Sequence, residues 1–431
     1  MDLIMGMNSG TSFDGIDCVL CEVEMAADGH PKPPKFLCGE SYPDGFPEDI
    51  KQMVLDAFED KVGMVGLTRL PYVVGAVFAE AARKFLQEHN VDPHDVKVLA
   101  IDGQTIYQEQ PDHVGIKKMR EKGSDNDWIA RWWQPGFDTK NTYGGPYPVG
   151  FQLGDTSVIA SLTDITTVTH FRCGDHVWGG NGAPLMQYFD YILFRNEEKP
   201  VMTLNIGGIA NVHLANRDRD RMYAFDTGPG NVLADHAART IYNQPCDYDG
   251  KIAAKGAIND EMLAELMDHP FYKRPTPRSG WRNDFSSEYG DTILEKYKHL
   301  KGEDIMRTFC EFTGKTIARS MRENIPEKEL SQPEIIYASG GGVKNPMIMK
   351  SVEANLPSNL TLKLSSEIGV PVEYKEAIKF ACLAYSTINN VANNIPHACH
   401  ASQYTIMGKV SFAPWRAKGT KDSSWYINSN K

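Results

Sequence analysis

Two glycine-rich turns contain the side chains whose types and spacing best suit phosphate chemistry. Residues 9–15, SGTSFDG, and residues 226–231, DTGPGN, each combine glycines with a hydroxyl group and a carboxylate. Glycine lets backbone N–H groups approach a ligand closely, and consecutive N–H groups in such turns form anion-binding concavities. A carboxylate would repel phosphate unless a divalent cation lay between them, so we expect Asp14 and Asp226 to hold Mg²⁺, directly or through water. A single turn of this kind is more simply a hairpin, whereas two of them favour a nucleotide.

A third glycine cluster, residues 340–342, follows the apolar segment EIIYAS and supports the same interpretation. Rival nucleotide signatures are poorly matched. No G-x-G-x-x-G follows the first predicted strand. The TGKT of residues 313–316 resembles the end of a P-loop, but the apolar spacing around it predicts one face of a helix. The residues expected to contact ATP are Ser9, Gly10, Thr11, Ser12, Asp226, Thr227, Gly228, Gly230, Gly340, Gly341 and Gly342.

A candidate general base lies in the segment HFRCGDHVWGGNGAPL, residues 170–185. Asp175 follows a predicted strand and precedes a glycine-rich stretch, which places a carboxylate on a loop at the end of a strand. Arg172 could pair with it or with a substrate. Considered alone, Asp175 would be an ordinary solvated aspartate. The nearby histidines show no metal-ligand spacing.

The elements that must position these residues follow a repeated pattern. Residues 3–8 and 16–24 read as a β-hairpin, residues 72–88 as an amphipathic helix and residues 96–105 as a buried strand ending in a polar loop. A second hairpin, another strand and a final helix are predicted at 201–215, 334–342 and 375–393. Because hairpin, helix and strand recur in both halves, the sequence predicts two α/β domains with a cleft between them.

Composition limits the class of protein. The 431 residues have a formal net charge of −11 with scattered Lys and Arg, which disfavours nucleic acid and anionic membranes as partners. No window approaches eighteen consecutive apolar residues, and the N-terminus lacks the pattern of a secretory signal. Eight scattered cysteines fit reduced thiols, so a cytoplasmic location is expected. Cys18 and Cys21 are expected to be buried strand residues and not metal ligands.

Taken together and in order, the motifs resemble the anhydro-N-acetylmuramic acid kinase family, a branch of the actin/hexokinase-like ATPases that includes levoglucosan kinase-like members. The resemblance spans nearly the whole chain and rests on MNSGTSFDGID (7–17), DGQT (102–105), FQLGD (151–155), HFRCGDHVWGGNGAPL (170–185), NIGGIANV (205–212), FDTGPGN (225–231), YDGKIAAKG (248–256), SGGGVKNP (339–346), KEAIKFA (375–381) and NIPHACHASQYTIMGKV (394–410).

The resemblance implies a two-domain, ribonuclease H-like ATPase fold with a central cleft. Domain I would comprise residues 1–150 and 376–431, and domain II residues 151–375. It also implies that the enzyme hydrolyses the 1,6-anhydro bridge of a sugar and phosphorylates O6 with ATP and Mg²⁺, with Asp175 as the base that activates water. The same resemblance assigns sugar contacts to Gln104, Thr105, Arg172 and, less directly, Glu376. A homodimer is the family expectation.

Three departures from the family pattern bear on the substrate. His170 stands where aspartate is usual, Asp102 replaces a histidine, and residues 107–148 look like a long insertion or lid. Asn8 favours the levoglucosan-type branch. Two alternatives stay open: an altered family member that senses sugar or nucleotide without catalysis, and an ordinary kinase that phosphorylates a free sugar hydroxyl.

Overall fold

The structure, a computed structural model, describes residues 1–10, 15–134, 144–274, 276, 278, 280 and 284–416. The chain forms two units, Met1–Ile192 with Glu376–Lys431, and Leu193–Lys375. This division differs from the expected boundary near residue 150. Residues 151–192 fold with the first unit, because their strands pair with strands from the N-terminal part of the chain.

The described residues contain thirteen strands and fourteen α-helices. The strands are β1 (Asp2–Asn8), β2 (Ile16–Val23), β3 (Lys35–Tyr42), β4 (Val96–Ala100), β5 (Gln104–Gln108), β6 (Gly150–Leu153), β7 (Thr167–Thr169), β8 (Val201–Ile206), β9 (Ile209–Ala215), β10 (Tyr223–Pro229), β11 (Ile335–Ser339), β12 (Thr361–Leu364) and β13 (Lys409–Ser411). The helices are α1 (Glu48–Phe58), α2 (Met64–Glu88), α3 (His113–Glu121), α4 (Thr156–Thr163), α5 (Arg172–His176), α6 (Met186–Phe194), α7 (Val232–Tyr242), α8 (Asp260–Met267), α9 (Ser287–Lys296), α10 (Gly302–Asn324), α11 (Glu327–Leu330), α12 (Pro346–Asn355), α13 (Lys375–Ile388) and α14 (Pro396–Cys399).

Both units are built on a mixed sheet, and the first four strands of each sheet are connected in the same way. The first sheet has the order β13-β7-β4-β1-β2-β3, and the second has the order β10-β9-β8-β11-β12. In each, three antiparallel strands come first in the chain, and the next strand pairs parallel to the first of them. This repeated arrangement confirms the α/β, ribonuclease H-like fold class expected from the resemblance.

The long helix α2 supplies much of the first unit's core. Its apolar stripe, spaced three or four residues apart, includes Leu70, Val74, Phe78 and Phe85, all buried against β2 and α4. By length and composition α2 is the one helix among the described residues that could cross a membrane, but a core helix passes the same test. Its buried stripe accounts for its apolar sequence.

Local predictions agree with the structure in several places. The hairpin β1–β2, the hairpin β8–β9, β11 and α13 lie where the sequence placed them. The TGKT stretch lies inside α10, where Thr313 and Thr316 are buried, so it is not a phosphate loop. Cys18 and Cys21 are both buried in β2, as expected.

Candidate active site

Asp175 lies in the short helix α5, immediately after β7, and not on an open loop as the sequence suggested. The chain turns between β7 and α5 at His170, which has a positive φ of 54°. Asp175 is 1% exposed, so its carboxylate is removed from bulk solvent.

Three donors from two parts of the chain hold the Asp175 carboxylate. The backbone N–H of Gly182 donates to Oδ2 at 2.9 Å. On the other oxygen, Oδ1 accepts from Asn394 Nδ2 at 3.2 Å and from the Cys399 thiol at 2.9 Å. Burial raises the pKa of Asp175 above its ordinary value, whereas the bonds from Cys399, Gly182 and Asn394 lower it. The result is a buried carboxylate with a raised pKa, held by hydrogen bonds on both of its oxygens.

The glycine stretch after α5 wraps closely around this carboxylate. Gly180 donates its N–H to the backbone oxygen of Asp175 at 3.0 Å, and a Cβ at Gly180 would lie 2.2 Å from Asp175 Oδ2. Gly182 has a φ of 64°, and a Cβ there would lie 2.1 Å from His176 Nε2. Only residues without a side chain fit at these two positions.

Asp102 and Arg172 form an ion pair beside the candidate base. Arg172 Nε lies 2.7 Å from Asp102 Oδ2, with side-chain exposures of 19% and 4%. Asp102 Oδ1 also accepts the backbone N–H of Phe171 at 3.0 Å, and Arg172 Nη1 donates to the backbone oxygen of Gly182 at 2.9 Å. The unexpected aspartate in DGQT therefore orients Arg172 and ties the end of β4 to α5.

Residues predicted to face sugar and residues predicted to face phosphate meet at the ends of β1 and β5. Ser9 Oγ donates to Gln104 Oε1 at 3.0 Å, and Gln104 is buried. Thr105 is the next residue of β5 and is half-buried, with its side chain on the opposite face of the strand. Gly10 follows Ser9, whereas Thr11, Ser12 and Asp14 lie outside the described residues.

Glu376 and His170 have clear structural surroundings. Glu376 is half-buried in the first turn of α13, where the helix dipole stabilises an acidic side chain. That turn packs on β1, because a Cβ at Gly6 would lie 2.0 Å from the backbone oxygen of Ala377. Both ring nitrogens of His170 have partners, Thr169 Oγ1 and the backbone oxygen of Gln152. The histidine at this position therefore fastens the turn before α5.

In the second unit the predicted nucleotide glycines gather at one edge of the sheet. β8, β10 and β11 run in the same direction and end at this edge, each followed by glycine. The connections are joined by backbone bonds: Gly230 N donates to Gly208 O at 2.9 Å, and Asn231 N donates to Gly207 O at 2.8 Å. The structure thus brings the residues at 230 and 340–342 together.

These glycines divide into packed and open positions. Cβ atoms at Gly230, Gly340 and Gly342 would lie 2.2–2.7 Å from their nearest neighbours, and Gly340 has a φ of 86°. At Gly341 the nearest heavy atom would be Asn231 Nδ2 at 3.8 Å, and at Gly208 nothing lies within 4 Å. The open positions leave space for a ligand beside the backbone. Gly208, in the Gly-Gly turn after β8, is an open position that was not among the predicted nucleotide contacts.

Of the two predicted Mg²⁺ ligands, only Asp226 lies within the residues that the structure describes. Its Oδ2 accepts the backbone N–H of Gly280 at 2.6 Å, and burial raises its pKa to about 7. A buried carboxylate whose charge is this poorly compensated fits a divalent cation. Thr227 and Gly228 serve packing in this structure: the Thr227 hydroxyl donates to Ala210 O, and a Cβ at Gly228 would approach the Tyr272 hydroxyl to 2.4 Å.

Residues 107–134 and 144–148, the described parts of the predicted insertion, contact the chain that follows Asp175. Arg131 is 4% exposed, donates from Nη1 to Val177 O at 2.9 Å and packs its guanidinium against the rings of Trp128, Tyr147 and Trp178. His113 Nε2 lies 3.1 Å from Asn181 Oδ1. This segment therefore supports the glycine stretch around Asp175. Residues 135–143 lie outside the described residues.

The sequence profile of the family described as anhydro-N-acetylmuramic acid kinase matches residues 2–131 and 139–413. Only residues 132–138 fall between the two stretches, so most of the supposed insertion belongs to the family pattern. The anhydro-N-acetylmuramic acid kinase of Francisella tularensis subsp. novicida is 34% identical over 414 residues, covering 95% of this chain and 98% of that protein. The enzyme of the same name from Vibrio cholerae is 31% identical over 412 residues, covering 95% and 98%.

Solved structures show a more distant likeness. Component A of the (R)-2-hydroxyglutaryl-CoA dehydratase of Acidaminococcus fermentans has a TM-score of 0.40 at 10% identity, covering 90% of this chain and 98% of that one. A ROK family glucokinase from Streptomyces griseus, in complex with glucose and AMPPNP, has a TM-score of 0.33 at 10% identity, covering 88% and 98%.

The family profile and the curated relatives identify the protein as an ATP-dependent sugar kinase. The family profile spans nearly the whole chain, and the similarity to these two curated relatives covers 95% of it. The chain belongs to the anhydro-N-acetylmuramic acid kinase family.

Proposed function

We propose that this protein opens the 1,6-anhydro bridge of a bicyclic sugar by hydrolysis and phosphorylates the released O6, with ATP as phosphoryl donor. The observation that carries this proposal is the buried Asp175 carboxylate held by Gly182, Asn394 and Cys399. A kinase that only phosphorylates a free hydroxyl needs a base near that hydroxyl. Hydrolysis of the bridge also needs a base for water, and a positioned buried carboxylate suits this role.

Asp175 would accept a proton from water as the water oxygen bonds to the anomeric carbon. The bond between C1 and O6 breaks, its electron pair goes to O6, and O6 bonds to the γ-phosphorus as ADP leaves. Proton transfer of this kind contributes about 10²–10⁴-fold to a rate. Inverting glycosidases use a second carboxylic acid for the leaving oxygen. Here O6 passes to phosphorus, so one carboxylate is sufficient.

Gln104, Thr105 and Arg172 would bind the sugar, with Glu376 as a further contact. Support comes from their placement in the first unit: Arg172 lies in the same helix as Asp175, and its guanidinium is oriented by Asp102. Gln104 is tied to Ser9, so a sugar contact there is coupled to the predicted phosphate turn. Such preorganisation lowers the cost of reaching a reactive geometry.

Ser9, Gly10, Thr11 and Ser12 would contact phosphate oxygens from the first turn. In the second unit, Asp226, Thr227, Gly228, Gly230 and the cluster 340–342 would line the nucleotide, supported by the open backbone at Gly341 and Gly208. Mg²⁺, when bound, neutralises charge on the phosphates. Asp226 and Asp14 would hold it, directly or through water, and the raised pKa of Asp226 supports its share of that role.

The substrate is proposed to be either anhydro-N-acetylmuramic acid, which the relatives' names indicate, or levoglucosan, which Asn8 favours. A cytoplasmic location and a homodimer complete the proposal.

A substrate panel tests the function directly. Purified protein with ATP and Mg²⁺ is offered levoglucosan, anhydro-N-acetylmuramic acid and glucose, and ADP release is followed. In ¹⁸O-enriched water the expected product is a 6-phosphate with one ¹⁸O at C1 and none in the phosphate. Turnover of glucose alone would assign an ordinary sugar kinase instead. Binding of an anhydro sugar without any ADP release would favour the sensor alternative.

A further inference from the structure

We infer that Asn394 and Cys399 are positioning residues that keep the Asp175 carboxylate ionised and oriented for proton abstraction. This inference rests on the proposed role of Asp175 as base. Both side chains lie on the C-terminal segment that returns to the first unit, more than 200 residues after Asp175, and both donate to the same oxygen, Oδ1. Oδ2 is held separately by Gly182.

Asn394 is locked in place by its own bonds. Its Nδ2 also donates to Gln403 O at 3.1 Å, and its Oδ1 accepts the backbone N–H of Thr405 at 2.9 Å. Every polar atom of the amide is thereby used, and the side chain is buried. A fixed amide of this kind sets the direction of the N–H that reaches Asp175, because rotation would break three bonds at once.

Cys399 acts as a neutral donor. Burial and the adjacent Asp175 raise its pKa well above the ordinary value of a thiol, so it stays protonated. Its single S–H has three acceptors within reach: Asp175 Oδ1 at 2.9 Å, Ile395 O at 3.1 Å and, more distant, Pro396 O at 4.0 Å. Ile395 O already accepts the N–H groups of Ala398 and Cys399. The ionised Asp175 carboxylate is therefore the preferred acceptor of the thiol hydrogen, because hydrogen bonds to charged acceptors are stronger. Once Asp175 has taken a proton, the S–H can turn to Ile395 O.

The other charged and titratable groups around Asp175 do not replace these donors. Arg172 on the same helix is paired with Asp102. His176 is neutral near pH 7, because burial lowers its pKa to about 4. His113 and His400, whose rings lie 4.8 Å apart beside this segment, both have pKa values lowered by burial. Ionisation of Asp175 therefore depends on the hydrogen bonds it accepts.

Asn393 provides a matched control. It is the same residue type, one position earlier, equally buried, and it also bonds within the C-terminal segment: its Nδ2 donates to Leu383 O at 3.0 Å and its Oδ1 accepts Met407 N–H at 2.7 Å. Its described bonds reach the chain around α13 and β13 and not Asp175. Asn393→Ala and Asn394→Ala should thus both reduce stability, but only the second should alter Asp175.

The test measures the titration of Asp175 itself. Protein labelled with ¹³C at aspartate carboxyl groups is titrated by NMR, with Asp175→Asn used to assign the signal, and kcat/KM is measured across pH 5–9. We expect Asn394→Ala and Cys399→Ala each to raise the midpoint of the Asp175 titration, and of the acid limb of activity, by about one pH unit. Cys399→Ser keeps a donor and should stay near the wild-type midpoint, as should Asn393→Ala.

An unchanged Asp175 titration in both Asn394→Ala and Cys399→Ala would overturn the inference, whatever their activity. A titration that shifts as expected while no anhydro sugar is turned over would retain the positioning role and reject the proposed function. If the NMR midpoint shifts but the acid limb of activity does not, Asp175 is not the base, and the positioning role in catalysis is rejected with it.

Discussion

Arg172 Nε lies 2.7 Å from Asp102 Oδ2, and this pair joins the end of the central strand β4 to the helix that carries Asp175. Asp102 is nearly fully buried, so the pair has lost most of its contact with water. A buried pair adds little net stability, but removing one partner leaves an uncompensated charge. The relationship makes Asp102 a support for Arg172.

Asp102→Ala should therefore lower the free energy of unfolding by about 3–5 kcal/mol and raise KM for the sugar. Asp102→Asn keeps an acceptor for Phe171 N–H and should lose less stability. Urea unfolding and steady-state kinetics measure the two effects. Glu334→Ala is the control, since its pair with Lys199 is solvent-exposed on both sides and should matter by less than about 1 kcal/mol. Equal losses in Asp102→Ala and Glu334→Ala would contradict this account.

Asp175→Asn should reduce turnover of the anhydro sugar by about 10²–10⁴-fold, because asparagine cannot accept the proton from water. The amide oxygen can accept Gly182 N–H, but the amide nitrogen then faces the donors Asn394 and Cys399, so a stability loss of about 1–3 kcal/mol is expected while nucleotide affinity stays close to wild type. ADP release and a fluorescent nucleotide titration check both points. Cys173→Ser, a change at an exposed position of the same helix, should leave turnover unchanged. Near wild-type activity of Asp175→Asn would remove Asp175 as the base.

Gly341 and Gly230 are both proposed to line the nucleotide, but only Gly230 is tightly packed against its neighbours. Gly341→Ala adds a methyl group with no heavy atom closer than 3.8 Å, so the melting temperature should not change while ATP binds more weakly. Gly230→Ala would place a Cβ 2.2 Å from Gly207 O and should destabilise the unit by about 1–3 kcal/mol. Thermal unfolding and ATP titration distinguish the two. Wild-type affinity in Gly341→Ala would show that the nucleotide does not pass this position.

His176 should make stability depend on pH. Burial lowers its pKa in the folded state to about 4, below the value of about 6.5 expected for the unfolded chain. The unfolded state therefore binds the extra proton between these values, and stability is fully present above pH 6.5 and lost as pH falls towards 4. At pH 5 the loss is about 2 kcal/mol.

His176→Asn removes this titration. The difference in unfolding free energy between wild type and variant, measured in urea at pH 8 and pH 5, should shift by that amount in favour of the variant at the lower pH. A difference that is the same at both pH values would mean that His176 does not titrate as its burial implies.

Much of the fold was predictable because local patterns encode local structure. Alternating and continuous apolar runs indicated β1, β2, β8, β9 and β11, and the three-to-four spacing indicated α2 and α13. The same spacing correctly separated the TGKT stretch from a true phosphate loop. The boundary at 150 was placed too early, because strand pairing between distant segments is not visible in a local pattern.

The site was predictable only in part. Asp175 and the glycine turns stood out by residue type and context, and the family could be identified because many short motifs occur in one order. Asn394 and Cys399 lie in the motif NIPHACHASQYTIMGKV, but no feature of that motif indicated that they contact Asp175. A hydrogen bond between residues 219 or 224 positions apart depends on the tertiary path of the chain, so it cannot be predicted from the neighbouring sequence.

The sequence by itself determined the strands, the principal helices, the glycine-rich turns and the family, since each depends on residue type and short-range spacing. The tertiary structure decided how Asp175 is used. It buries the carboxylate, brings Gly182, Asn394 and Cys399 to its two oxygens, and pairs Arg172 with Asp102. Desolvation and hydrogen bonding act only once the folded chain encloses a group, so the chemistry of this carboxylate arises from the fold.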